Sequence, residues 1–142
     1  MRALLDVNVL IALLDAGHQQ HSVARAWLMA NSEVGWASCP LTQNGCVRIL
    51  SQPSYPNPIP TSVALVKLAS ACAAAPHQFW PDDVSILNDK LIRADRVHGP
   101  RQLTDLYLLT LSVHHGGRFV TFDGAIATNA VRRAAAKHLL VI

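Results

Sequence analysis

Apolar residues crowd the first fourteen positions of the chain, where Leu4, Leu5, Val7, Val9, Leu10 and Ile11 surround a single acid, Asp6. A run that is apolar on both sides predicts a short strand buried on both faces, here Ala3–Asp6. Asn8 then offers a side-chain cap for a helix running through Leu13. Gly17–His18 breaks the pattern. From about Ser22 to Met29 the apolar positions Val23, Ala26 and Trp27 return at helical spacing, and Val34–Ala37 reads as a second short strand. Pro40, followed by Leu41, Val47 and Leu50, predicts a helix with proline near its start that ends by Gln52.

Gln52–Thr61 holds Pro53, Pro56, Pro58 and Pro60, four of the chain's eight prolines. Neither a helix nor an inner strand tolerates that density, so the segment is expected to be an ordered surface loop. Ser62–Ala75 reads as an alanine-rich helix stopped by Pro76, Gln78–Trp80 as a short strand, Val84–Leu91 as a short helix and Arg93–Gln102 as a loop. Thr104–His115 carries a capping-type threonine, an apolar stripe and a Gly116–Gly117 stop, which together predict a helix. Arg118–Phe122 follows as a strand, Gly124–Val131 as a short helix and His138–Ile142 as the last strand. Short apolar strands alternating with helices predict an α/β fold on a central parallel sheet flanked by helices. No repeat or boundary divides residues 1–142, so one domain is expected.

Composition narrows the class. With 51% hydrophobic and 15% charged residues the chain is not a disordered tail. Its mean hydropathy is +0.24, yet apolar stretches such as Val9–Leu14 are far too short to span a bilayer. No signal peptide is expected, because Asp6 and Asn8 interrupt the stretch after Arg2 and no small-residue cleavage site follows. Cys39, Cys46 and Cys72 are odd in number and lack CxxC spacing, so a disulfide framework is not expected and a reducing cytoplasm is the simplest setting. The net charge of +3 suits a polyanionic partner without requiring one. The apolar excess leaves surface for a partner.

Glu33 is the only glutamate, so acidic chemistry must come from eight aspartates. Asp6 and Asp123 follow strands, and Asp105 lies in the first turn of a helix. Polar groups at the carboxyl ends of parallel strands converge on one crevice. Buried carboxylates are costly unless paired or bound to metal, and oxygen ligands without His or Cys point to a hard cation, Mg²⁺ or Mn²⁺. Taken singly, each acid also suits a helix cap or a dipole partner.

LLDVNVLIALL near the start, TDLYLLTLSVHHGGRFVTFD near the end, and WASCPLTQNGCVRILSQP and FWPDDVSIL between them resemble a PIN-domain ribonuclease toxin of the VapC family, in its mycobacterial-type branch. The resemblance covers essentially the whole chain. It implies a Rossmann-like fold, a homodimer, a cognate VapB-type antitoxin over the site, and Mg²⁺-dependent endoribonuclease activity. By position, Asp6, Asp105 and Asp123 match the acids of that site, and Asn8 and Thr121 the polar residues that orient them. In such a site a metal lowers the pKa of a bound water and polarises a phosphate oxygen. One departure stands out. Many PIN domains carry a glutamate early in the helix that here spans about Leu41–Leu50, a stretch without any acid. Gln43 or Asn44 is left to offer a neutral oxygen there. Asp82 and Asp83, after Pro81, are expected to form a turn or a cap rather than to compensate.

Arg48, Arg93, Arg96 and Arg101 are candidates for phosphate contact, against the ordinary solvated or paired arginine. Trp27, Trp36 and Trp80 are expected in the core or an interface. The seven histidines include no HxxxH pair and are expected to be structural or surface residues. Two other readings stay open: a PIN-fold RNA-binding module with weak or no catalysis because the usual second acid is missing, and a metal-dependent phosphoryl-transfer α/β protein. The second is weakened because Asp6-Val7-Asn8 is not DxD and no receiver-type acid pair or late lysine is in place.

Overall fold

The computed structural model describes residues 1–74 and 76–142. Five strands, β1 (Ala3–Leu5), β2 (Trp36–Ser38), β3 (His77–Phe79), β4 (Arg118–Thr121) and β5 (Leu139–Val141), form one parallel sheet in the order β3-β2-β1-β4-β5. The helices are α1 (Val7–Leu14), α2 (His21–Ala30), α3 (Pro40–Leu50), α4 (Thr61–Ala73) and α5 (Leu103–His114). The α/β architecture expected from the alternation of elements is thus present.

Alternation along the strands divides the core into two halves. Ala3 and Leu5 of β1 and Val120 of β4 point into one cluster with Val9, Leu10, Cys46, Val47 and Leu68 of α1, α3 and α4. Leu4 and Phe119 point the other way, onto Leu106, Leu108, Leu109 and Leu111 of α5. The buried Leu, Val and Phe side chains among these each contribute about 1.5–3 kcal/mol. Because β1 is covered on both faces, its sequence is continuously apolar rather than alternating. Trp36 and Trp80 are buried, as expected, and Trp27 packs half-buried against the first cluster.

The chain runs outward from β1 through β2 to β3, then returns to place β4 on the other side of β1. That reversal opens a crevice between the carboxyl ends of β1 and β4, the place where doubly wound sheets bind ligands.

Several elements differ from expectation. β1 ends at Leu5, so Asp6 rather than Asn8 caps α1. β2 starts at Trp36, two residues later than expected, because Gly35 turns the chain at φ +82°. Val84–Leu91 is not a helix: Ser85 Oγ and Asn88 Oδ1 each accept a backbone N–H two residues on, which favours turns over a continuous helix. Gly124–Val131 is likewise irregular apart from a 3₁₀ turn at Thr128–Ala130. The expected end of the fourth helix at Ala75 lies outside the described residues. The proline-rich loop is ordered as expected. Its Tyr55 hydroxyl donates to the Asp15 carboxylate just past α1, and Ile59 N–H donates to Leu50 O at 3.0 Å. No helix among the described residues is long and apolar enough to cross a membrane.

After α5 the chain reverses tightly. Gly116 adopts φ +68°, Gly117 N–H donates to Ser112 O at 2.8 Å, and Gly116 N–H donates to Val113 O at 3.1 Å. This is the Schellman pattern, and it satisfies carbonyls that the helix end would otherwise leave open. A methyl group on Gly117 would sit 2.5 Å from Arg2 O and 2.6 Å from Trp80 Cη2. One of those neighbours is backbone and the other a buried indole, so neither can yield cheaply. Gly117→Ala is expected to destabilise the protein by about 1–3 kcal/mol in urea denaturation. Gly124→Ala, where nothing lies within 4 Å, is the control expected to stay near the parent.

Candidate active site

Asp6 is the most buried of the three acids, with only 7% of its surface exposed. Val7 N–H donates to its Oδ1 at 2.7 Å, and the Thr121 hydroxyl donates to its Oδ2 at 2.5 Å. Burial raises its pKa. The two hydrogen bonds pull the other way, and the charge of Asp123 adds to the rise.

Thr121, the last residue of β4, is fully buried. Its Oγ1 donates to Asp6 and accepts from Asn8 Nδ2 at 3.3 Å and from Asp123 N–H at 3.1 Å. A hydroxyl has one proton and two lone pairs, so this one is saturated. It locks β1, α1 and the start of the loop after β4 in one geometry. Asn8 Oδ1 is buried beside this hub with no partner among the described residues.

Asp105 enters from the other layer, in the first turn of α5, and is half-buried. Its pKa is pushed up to about 6, first by desolvation and then by the charges of Asp6 and Asp123. Asp123 is exposed, and its Oδ1 accepts from Ala125 N–H at 2.8 Å. Gln102, just ahead of α5, donates from Nε2 to Ala125 O at 2.8 Å. That link joins the loop bearing Asp123 to the helix bearing Asp105. The sequence held no signal for it beyond a glutamine before a helix.

The three acids therefore lie near enough for their charges to act on one another, but loosely. Among the described residues, the one set of three His, Cys, Asp or Glu side chains whose ligand atoms all lie within 4.8 Å is Asp83, His114 and His115. The Asp6, Asp105 and Asp123 oxygens are spread wider than that.

The remaining candidates separate. Gln43 does not turn to the acids: its Nε2 donates to Ser38 Oγ at 2.9 Å. Asn44 and Arg48 are exposed and line a cleft of about 800 Å³ between α3 and α4, a cleft the acids do not line. Arg93 is occupied by the fold, since its Nη1 donates to Asn129 O at 2.8 Å. Arg96 pairs with its neighbour Asp95 at 3.7 Å on the surface. Arg101 is exposed in the turn directly ahead of α5. Asp82 caps, as expected of a post-proline acid, but the helix is α3: its Oδ2 accepts from Leu41 N–H at 3.1 Å.

With this geometry in place, the relatives can be set beside it. The PIN domain family matches residues 3–131. Ribonuclease VapC44 of Mycobacterium tuberculosis is 55% identical over 142 residues, which is 100% of both chains. Ribonuclease VapC39 of the same species is 44% identical over 131 residues, 92% of this chain and 94% of the relative. Among solved structures, VapC20 of Mycobacterium tuberculosis, described as a sarcin-ricin loop cleaving toxin, superposes with a TM-score of 0.61 at 13% identity. The match covers 93% of this chain and 98% of that one. VapBC2 from Rickettsia felis, bound to a DNA fragment from their promoter, gives 0.57 at 12% identity, with 87% and 89% covered. At such low identity these two speak for the fold alone, whereas the family match and the close relatives place the sequence. This chain belongs to the PIN-domain family, in the mycobacterial branch of its VapC-type ribonuclease toxins.

Proposed function

We propose that this chain is a Mg²⁺-dependent endoribonuclease, the toxin of a toxin–antitoxin pair, with Asp6, Asp105 and Asp123 as its working acids. The observation that carries the reading is the mutual charge of those three residues across the sheet's reversal point. Asp105 is held above the carboxylate range partly by Asp6 and Asp123, and a divalent cation relieves that repulsion. The donor set fits the metal: carboxylates and an orphaned amide oxygen, Asn8 Oδ1, are hard ligands. The loose spacing fits as well, since Mg²⁺ keeps several waters and takes only one or two carboxylates directly. Mn²⁺ shares these preferences.

When bound, the ion supplies a water of lowered pKa and a Lewis acid for a phosphate oxygen. The rest falls to the chain's own residues. Asp6 and Asp105 hold the cation, and Asp123, exposed at the rim, orients the attacking water. Thr121 and Asn8 fix the Asp6 carboxylate. Of the four candidate arginines, Arg101, ahead of α5, and Arg48, in the α3–α4 cleft, are left for RNA phosphates, whereas the Arg93 fork is used internally. The cytoplasm, a homodimer and a VapB-type antitoxin over the crevice complete the proposal.

A second reading, an RNA-binding module with weak catalysis, draws on α3. That helix contributes no acid, and Gln43 is committed to Ser38. Family membership leaves no support for the phosphoryl-transfer reading.

Single-turnover RNA cleavage with Mg²⁺ or Mn²⁺ separates the two. Asp6→Asn and Asp105→Asn are each expected to lose about 100-fold or more, since a ligand loss exceeds the 10–100-fold typical of supporting residues. Asp123→Asn should fall between these and the parent, and Gln43→Ala or Asn44→Ala should cost least. If folded Asp6→Asn cleaves as fast as the parent, the metal-nuclease reading fails.

Thr121→Val keeps the shape of the side chain but removes all three hydrogen bonds of the hub. It is expected to reduce cleavage about 10–100-fold, while Thr121→Ser stays close to the parent. Equal loss in both variants would mean that packing, not the hydroxyl, matters.

The metal-free protein has a pH signature. Asp105 binds its proton more readily folded, with a pKa of about 6, than unfolded, at 3.8. Its contribution to stability is therefore complete below 3.8 and is lost as pH rises through about 6. Asp6 shifts in the same direction. Asp105→Asn is expected to gain thermal stability relative to the parent as pH rises from 5 to 7 in EDTA. A difference between the two that does not change with pH would contradict the repulsion.

A further inference from the structure

Three side chains outside the acid crevice converge at the opposite end of α5. The Schellman turn fixes His115 as the cap residue of that helix. Neighbouring helix positions do not normally face one another, but His115 has left the helix, and its ring swings across His114 with centroids 5.2 Å apart in an edge-on arrangement. The His115 ring also stacks on the buried Trp80 indole, 4.7 Å between centroids and 13° between planes. Trp80 is held in turn over Gly117, where only glycine fits. Asp83, three residues beyond Trp80, delivers its carboxylate to both imidazoles. His115 Nε2 lies 3.0 Å from Oδ1, and His114 Nε2 lies 3.6 Å from Oδ2.

We propose that Asp83, His114 and His115 form a second metal site, which takes a divalent transition ion and clips the segment after β3 to the end of α5. The three ligand atoms lie within 4.8 Å of one another, and the two His–Asp separations of 3.0 and 3.6 Å bracket the roughly 3.4 Å between neighbouring ligands about 2.1 Å from a tetrahedral ion. Two imidazole nitrogens and one carboxylate oxygen select a borderline ion such as zinc, cobalt or nickel over magnesium. His114 and Asp83 are 45% and 40% exposed, which leaves room for water to complete the coordination. His115 is better covered, at 20%, and its stacking on Trp80 sets the ring before any ion arrives. Asp105 and His114 are separated by about 13 Å along the helix, so this site is independent of the crevice and of the nuclease reading. It escaped the sequence because its carboxylate comes from an irregular loop, 31 positions ahead of His114.

Untagged protein is titrated calorimetrically with Zn²⁺, and with Co²⁺ while the visible absorption of the ion is followed. The parent is expected to bind one ion here, with cobalt bands shifted by nitrogen ligands and a melting temperature raised by zinc. His114→Ala and Asp83→Asn should each lower the affinity about tenfold or more and remove the shift. Asp105→Asn, which disarms the crevice, should keep both. The exposed His114 and the isosteric Asp83→Asn are chosen so that folding survives, with circular dichroism as the check. The proposal is overturned if the parent binds neither ion, if His114→Ala binds both as tightly as the parent, or if Asp105→Asn abolishes binding while His114→Ala keeps it.

Discussion

A carboxylate sits almost out of water at the end of the central strand, and much of the architecture is organised around keeping it there. Asp6 follows β1, which is covered on both faces, so solvent reaches it poorly. Uncompensated burial of that charge would cost several kcal/mol. Two donors answer part of the cost, and each belongs to a rigid element: Val7 N–H opens α1, and the Thr121 hydroxyl closes β4. The register of β1 on β4 and the entry of α1 are thus tied to one side chain. Within the fold, desolvation still wins, and the Asp6 pKa stays raised.

Topology gathers the other charges. Because β4 lies beside β1, the loop after β4 returns Asp123 to the crevice, and α5, packed beneath both strands, supplies Asp105 from the second layer. The Gln102–Ala125 bond ties that loop to that helix. Three acids distant in sequence become neighbours only when the chain is folded. Their repulsion is therefore a property of the native state alone, and an ion that relieves it must bind the native state in preference to the unfolded chain.

Much of this was legible in the sequence, and what was not has identifiable causes. The strand before Asp6, the helix after Thr104 and the loop of four prolines were readable because apolar runs, glycine stops and proline each act locally. Asp6, Asp105 and Asp123 stood out because acids in apolar surroundings are unusual. The cap of α1 fell to Asp6 instead of Asn8 because β1 stops one residue early, a boundary that periodicity resolves poorly. Val84–Leu91 carried apolar residues at plausible spacing, but Ser85 and Asn88 bond to nearby backbone and favour turns. The Asp83–His114–His115 cluster depends on a loop laid against a helix end, which no local pattern encodes.

The acid absent from α3 has a structural counterpart in the direction of one hydrogen bond. Gln43 donates an amide proton to Ser38 Oγ, and the same hydroxyl is hydrogen-bonded to His77 Nε2 at 2.8 Å. Burial and the charge of Arg2 lower the His77 pKa, which favours the neutral imidazole there. The chain Gln43 to Ser38 to His77 ties α3 to the β2–β3 side of the sheet rather than to the crevice. A glutamate at position 43 would reverse the first bond, since a carboxylate only accepts, and would take up the Ser38 proton. The neutral amide thus serves packing on one side of the molecule. It leaves the crevice with three carboxylates, enough formal charge to offset one divalent cation and too little to offset two.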